Sequence, residues 1–190
     1  MIKIAAVFLM FLLVNALPAQ TKFEREYRIK SHQAPQAAKD FIRDAGLNGK
    51  VKWYAEEGLE GSSVEAKMVV GRQKLSIEFD TAGMIQDVET EISAENMDAA
   101  VLARLNDHFG SVFNSHKIIK IQESYTGERD NLTAFLRDGS QRNLLTTHYE
   151  IVVKGRDDSG MNLYEFLFND RGDLISRLLI IHSNTDNLQF

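Results

Sequence analysis

Alternation of apolar and polar residues runs through residues 51–92 and constrains the fold more than any other feature of the chain. Four short segments carry an apolar or β-favouring residue at every second position. These positions are Val51, Trp53, Ala55; Val64, Ala66, Met68, Val70; Leu75, Ile77, Phe79; and Val88, Thr90, Ile92. The pattern is typical of antiparallel strands with one buried and one wet face. Turn residues at 71–72 and 80–83 predict hairpins between them.

The same order of elements recurs along the chain. A helix is predicted over residues 35–46, and a second helix, capped by Ser93 and ended by Gly110, precedes four further strands. The apolar face Leu75, Ile77, Phe79 corresponds in order and turn position to Tyr164, Phe166, Phe168. We therefore predict the α+β class, as two tandem α-β(4) units, each with a helix packed on one face of an antiparallel sheet. The predicted divisions are 1–19, 20–34, 35–92 and 93–190.

Residues 1–19 have the three parts of a signal peptide. Lys3 precedes an apolar run over residues 4–14, and cleavage is predicted after Ala19, with Ala16 as the alternative. The run is shorter than the roughly 20 residues of a spanning helix. The chain has no cysteine, which suits a bacterial periplasm better than a disulfide-stabilised secreted domain. We expect an exported, periplasmic protein.

Charge and motif content argue against several function classes. The net charge is −5 and the basic residues are scattered, so nucleic acid and anionic membranes are not expected partners. The five histidines lack metal-ligand spacing, and the oxygen-rich stretches 157–160 and 169–172 read as turns. No nucleophile elbow or phosphate loop is present. We predict no enzyme activity, catalytic residue, metal or cofactor.

Charged residues follow the polar faces of the first four strands. We expect Glu56, Glu65, Glu78 and Glu89 to form a row across the strands, balanced by Lys52, Lys67 and Lys74 through cross-strand pairs of roughly 0.2–1 kcal/mol each.

Two aromatic neighbours point to opposite faces of the first strand. Trp53 is expected beneath the first helix and Tyr54 on the exposed face. The predicted binding residues are Tyr54, Lys52, Glu56, Glu65 and Lys67, since tyrosines ringed by charge are frequent anchors at interfaces.

Two segments remain open from the sequence. Residues 126–146 form a long polar connection that is either functional or loosely ordered. Residues 22–30 are either an edge strand or a short helix.

Residues 52–56, 64–67 and 76–89 resemble the PepSY-like family, whose members are similar to the β-lactamase-inhibitor-protein fold. The chain departs from the family's pattern at Met97-Asp98, where proline is frequent, and at Ile121, which replaces a tryptophan. The resemblance implies a periplasmic protein of Bacteroidetes type that binds or inhibits another protein. Our hypothesis is a non-enzymatic module that recognises a protein or peptide through its exposed sheet face. The alternative is an envelope sensor or accessory protein that binds a small ligand or cation.

Overall fold

The computed structural model describes residues 20–22, 24–59 and 61–181, which form ten strands and three α-helices. The strands are β1 (Gln20–Lys22), β2 (Glu24–Ile29), β3 (Lys52–Gly58), β4 (Gly61–Val70), β5 (Gln73–Asp80), β6 (Ile85–Glu91), β7 (Ser115–Thr126), β8 (Thr146–Asp157), β9 (Gly160–Asn169) and β10 (Leu174–Ile180). The helices are α1 (Gln36–Asp44), α2 (Ala99–Val112) and α3 (Arg129–Asp138). The predicted signal peptide lies outside the described residues. Within those residues, no helix combines the length and apolar character needed to cross a membrane.

All ten strands belong to one mixed sheet, in the order β1-β10-β9-β8-β7-β6-β5-β4-β3-β2. The prediction of two separate helix-on-sheet units is therefore wrong. Strand β6 pairs with β7 from Val88↔Tyr125 to Glu91↔Gln122, which joins the strands on either side of residue 92. Two separate sheets would each expose additional edges with unpaired backbone groups, and this pairing removes them.

The two edges of the sheet are joined by the N-terminal segment. Strand β1 pairs in parallel with β10, whereas β2 pairs with β3 at the opposite edge. The Cα atoms of Lys22 and Glu24 can lie at most about 7 Å apart, because only two residue steps separate them. A flat sheet of this size would be about 43 Å wide. The sheet must therefore curl, with an inner face towards the centre of the curl and an outer face covered by helices. Of the two alternatives for residues 22–30, the edge strand is observed over Glu24–Ile29.

The outer face holds the hydrophobic core in two clusters. Helices α1 and α3 pack on the first cluster, where the rings of Phe41 and Phe79 lie 5.7 Å apart. Helix α2 packs on the second, where Phe109 and Phe166 lie 5.1 Å apart. Trp53 is 4% exposed and lies 6.2 Å from Phe79. Its predicted place beneath the first helix is confirmed.

Helix α1 lies inside its predicted range, but α2 begins later and ends later than predicted. The Asp98 carboxylate accepts hydrogen bonds from the backbone of Ala100 and Val101, so Asp98 rather than Ser93 caps the helix. Gly110 does not end it, since a glycine inside a helix costs only about 1 kcal/mol.

Residues 126–146 are ordered around α3. Leu132 is fully buried, and the Phe135 ring packs 4.6 Å from that of Tyr125. Gly139, in the left-handed conformation with φ 77°, ends the helix.

Candidate functional site

A cavity of about 120 Å³ lies on the inner face, and every one of the ten strands supplies a lining residue. The lining residues are Lys22, Glu26, Glu56, Glu65, Lys67, Ser76, Glu78, Asp87, Glu89, Lys120, Glu150, Val152, Glu165 and Ile180. Strand alternation places them there, because positions two apart share a face. So small a space is shared by all ten strands only because the sheet curls around it.

Carboxylates dominate the wall of this cavity. Eight glutamate and aspartate side chains face three lysines, Lys22, Lys67 and Lys120. The lining therefore carries an excess of five acidic groups, which attracts cations and hydrogen-bond donors.

Lys67 supplies the internal cation for one group of these carboxylates. Its Nζ lies 3.0 Å from Glu26 and 2.9 Å from Glu65, and Ser76 also donates to Glu65. Carboxylate oxygens of Glu26, Glu56 and Glu65 lie within 4.8 Å of one another. Burial opposes the charge of Lys67, but the adjacent Glu65 and Glu26 outweigh it and raise the pKa of the ammonium. Lys67 balances one of the three negative charges, and burial still raises the pKa of Glu26.

Lys22 compensates a second carboxylate. Its Nζ donates to both oxygens of Glu165, at 2.8 and 2.7 Å. Since Lys22 lies on β1 and Glu165 on β9, the pair helps to hold the short closing strand against the rest of the sheet.

A third group, around Asp87 and Glu89, has less compensation. Burial, followed by repulsion from Glu78 and Glu150, raises the pKa of Asp87 to about 8. Burial also raises the pKa of Glu89, with Glu150 and Asp87 adding to the effect. The Oδ1 atom of Asp87 is buried and accepts no hydrogen bond from any residue that the structure describes. The nearby lysines oppose these shifts without cancelling them.

The predicted binding residues meet this site in part. Glu56, Glu65 and Lys67 line the cavity, and the Tyr54 ring is half-buried with the Nζ of Lys67 5.0 Å from its centroid. Lys52 is not among the lining residues. The face is also less open than expected, since Glu65 is only 8% exposed.

Opposite-charge pairing explains part of the predicted glutamate row. Lys67 binds Glu65 of the row, although on the same strand, at 2.9 Å, whereas Lys74 binds Glu91, which is not part of the row, at 3.1 Å. Glu78 of the row lies directly opposite another acidic residue, Asp87, on β5 and β6.

Sequence reasoning missed half of the acidic wall, namely Glu26, Asp87, Glu150 and Glu165, and also Lys22 and Lys120. The alternation carried the necessary signal for Asp87, which lies two residues before Glu89 on the same face. It likewise places Glu150 opposite the apolar side of β8. What the pattern does not contain is the curl that brings distant strands together.

The oxygen-rich stretches at 157–160 and 169–172 are hairpin turns, as predicted. The Asn169 Oδ1 accepts hydrogen bonds from the backbone of Arg171 and Asp173. Asp157 likewise accepts from the backbone of Ser159. These oxygens serve the turns, while the Asp157 Oδ2 also accepts from the side chains of Tyr164 and Arg177.

Comparison with known proteins shows which solved structures have a similar fold. No family model and no curated protein sequence matches this chain. Three solved structures do, each from a Bacteroides species. A BLIP-like protein of Bacteroides fragilis is 16% identical with a TM-score of 0.52, covering 80% of this chain and 89% of its own. A DUF2874 family protein of Bacteroides ovatus is 11% identical with a TM-score of 0.52, covering 77% and 87%. A Bacteroides eggerthii protein, provisionally described as periplasmic, is 12% identical with a TM-score of 0.54, covering 81% and 94%.

The likeness is one of fold. It agrees with the BLIP-like part of the predicted resemblance, while the PepSY-like relationship and the tandem duplication stay predictions.

Proposed function

We propose that this protein is an exported, non-enzymatic binding module whose inner face takes a cationic ligand. One observation carries the proposal: the cavity has five more carboxylates than lysines. Within it, the buried Oδ1 of Asp87 accepts no hydrogen bond from the described residues.

The energetic argument rests on the cost of burying charge. An ionised carboxylate removed from water without a partner costs several kcal/mol. The folded protein avoids this cost in part by keeping Asp87 protonated up to about pH 8, where burial raises its pKa, so a cation that enters the cavity displaces that proton and binds more tightly as pH rises. An anion would meet repulsion from the same wall.

The size of the cavity favours a small ligand. Pockets for drug-sized molecules measure roughly 300–1,000 Å³, whereas this cavity measures about 120 Å³. Glu26, Glu65 and Ser76 in its wall are at most 9% exposed, so a protein surface would meet little of them. The small-ligand-or-cation hypothesis therefore has more support than recognition of a protein or peptide, which stays a prediction.

Export is part of the proposal on two grounds. Residues 1–19 have the composition of a signal peptide, and one of the similar folds belongs to a protein provisionally described as periplasmic. No inhibitory activity is transferred from the BLIP-like structure, because a shared fold does not imply a shared function.

Thermal unfolding in the presence of different salts tests the proposal. We expect divalent metal chlorides or small diamines to raise the melting temperature in proportion to the logarithm of their concentration above Kd. Sodium salts of phosphate, sulfate and acetate, at matched ionic strength, serve as the anion control. The proposal fails if no cation stabilises the protein beyond the effect of ionic strength.

A further inference from the structure

We infer that the ligand is a small organic diamine, held with one ammonium group at Asp87 on β6 and the other at Glu150 on β8. This inference rests on the proposed function and names its ligand. Both carboxylates line the cavity of the inner face, and β7 lies between their strands. Their positions are therefore about 10 Å apart when measured along the sheet, which is two strand spacings.

The cavity wall already binds ammonium groups that belong to the chain itself. Lys67 on β4 brings its Nζ to 3.0 Å from Glu26 on β2 and to 2.9 Å from Glu65. Lys22 on β1 donates to both oxygens of Glu165 on β9, at 2.8 and 2.7 Å. An ammonium group has three N–H donors, so it can join carboxylates that come from different strands. The same wall therefore suits the ammonium group of a ligand.

Asp87 is a carboxylate of this wall with an unsatisfied oxygen. Its Oδ1 is buried and accepts no hydrogen bond from any residue that the structure describes. Glu78 lies directly opposite it on β5. Repulsion from Glu78 and Glu150 adds to the effect of burial in raising the pKa of Asp87. A buried acceptor without a donor indicates a missing partner, and the acidic neighbours require this partner to be positive.

A metal ion fits the wall less well than an ammonium group. Two oxygens that bind one Ca²⁺ lie at most about 5 Å apart, because each Ca–O distance is about 2.3–2.6 Å. Within the described part of the chain, one group of three acidic side chains is that close, namely Glu26, Glu56 and Glu65. The ammonium of Lys67 already lies beside two of its members. Asp87 and Glu150 do not belong to this group, and separated carboxylates suit a ligand that carries its two charges apart.

The space in the cavity suits a short alkyl chain. A water molecule needs about 10–15 Å³ of cavity volume, so the cavity of about 120 Å³ has room for several non-hydrogen atoms. A bare ion would leave most of this space to water. Val152 follows Glu150 by two residues on the same face of β8, and with Ile180 it gives the cavity two apolar side chains. The methylene groups of a diamine can pack against them.

Calorimetric titration of 1,4-diaminobutane into chelator-treated protein tests the inference, with 1-aminobutane as the matched ligand that has one ammonium group. We expect one diamine per chain. It should bind at least about tenfold more tightly than the monoamine, and than CaCl₂ at the same ionic strength, because it makes a second charged hydrogen bond. Asp87→Asn and Glu150→Gln should each weaken diamine binding by about 10- to 100-fold through the loss of one such bond.

Glu91→Gln is the matched control variant. Glu91 lies on β6 with Asp87 but pairs with Lys74 and is not among the lining residues, so diamine affinity should stay within about twofold. Asp87→Asn exchanges a carboxyl group for an amide of the same shape and should fold, and Glu150→Gln tests the same site from another strand. Diamine affinity equal to that of the unmodified protein in both variants would overturn the inference.

A further probe separates a free diamine from a lysine side chain of another protein, which carries the same ammonium group. Nα-acetyl-lysine methylamide has one ammonium group and should bind no more tightly than 1-aminobutane. Tighter binding of this probe than of the diamine would overturn the inference. If CaCl₂ binds in an Asp87-dependent manner and the diamine does not, the inference is also overturned, but the proposed function stands. If neither the diamine nor any divalent metal ion binds, both are overturned.

Discussion

The outer and inner faces of the sheet bury side chains of opposite kinds. On the outer face, Phe79 and Phe166 are fully buried and meet neighbouring rings edge to face. On the inner face, the buried residues include Glu65, Ser76 and Gln122. Phe79 and Ser76 belong to the same strand, β5, and alternation alone places them on opposite faces.

This difference assigns stability and binding to separate surfaces. Each large apolar side chain buried on the outer face contributes about 1.5–3 kcal/mol. Buried carboxylates on the inner face contribute little or are unfavourable unless paired. The outer face therefore holds the fold together, and the inner face is free to carry a costly arrangement that a ligand can relieve.

The largest expected effect is on the outer face. Phe166→Ala should lower the free energy of unfolding by about 4 kcal/mol, because it leaves a cavity among the rings of Phe109, Phe113 and Phe168. Chemical denaturation measures this change. Cation-induced stabilisation should persist in the folded variant, and its loss would contradict the separation of the two faces.

Removing the internal cation should have the next largest effect. Lys67→Met leaves Glu26 and Glu65 buried without their ammonium partner and should cost about 3 kcal/mol. Lys74→Met is the matched control, since its pair with Glu91 is partly exposed and should cost less than about 1 kcal/mol. If denaturation shows equal losses of unfolding free energy in the two variants, the buried pairs of Lys67 stabilise the fold no more than a partly exposed ion pair does.

The pH dependence of stability sharpens the comparison. The pKa of Asp87 rises from its ordinary value of 3.8 to about 8 in the folded protein, through burial and then repulsion by Glu78 and Glu150. The folded state therefore holds a proton that the unfolded state releases, so stability falls as pH rises from about 4 to about 8. The loss assigned to Asp87 should be on the order of 1–3 kcal/mol.

Asp87→Asn provides the control for this pH effect. Melting temperatures of chelator-treated protein should fall less steeply with pH in this variant, and it should be the more stable protein at pH 8. Parallel pH profiles for the two proteins would contradict the assignment.

The smallest effect is expected at the rim. Tyr54→Leu removes the ring that lies 5.0 Å from the Nζ of Lys67 and should cost about 0.5–1 kcal/mol. Denaturation measures the loss, and stabilisation by divalent cations should be unchanged. A large loss of that stabilisation would place the bound cation near Tyr54 on β3.

Local features of the fold could be predicted from the sequence because they depend on neighbouring residues. The apolar positions of β4 and β5 follow directly from alternation, and α1 follows from its helical spacing. Helix α3 was missed although Leu132, Phe135 and Leu136 have helical spacing, because the charged residues around them are typical of a loop. A closer count of that spacing would have found it.

The sheet's closure could not be predicted in the same way. Alternation specifies which face a residue occupies but not which strand lies beside it, so neither the β6–β7 pairing nor the joining of β1 and β2 to opposite edges was accessible. The prediction of the site was affected most, because its residues come from strands that are distant in the sequence. Glu65 and Lys67 were predicted together because they lie on one strand. Glu150 reaches the same cavity from β8, four strands away in the sheet.

The central claim is tested most directly by a pH titration of the Asp87 side chain. Its carboxyl carbon is monitored by NMR in chelator-treated protein. The account predicts that this carbon titrates near pH 8, because the inner face buries more negative charge than its lysines balance. A midpoint near 4, as for an aspartate in water, would contradict it: the carboxylate would then be balanced already, and the cavity would have no need of a cation.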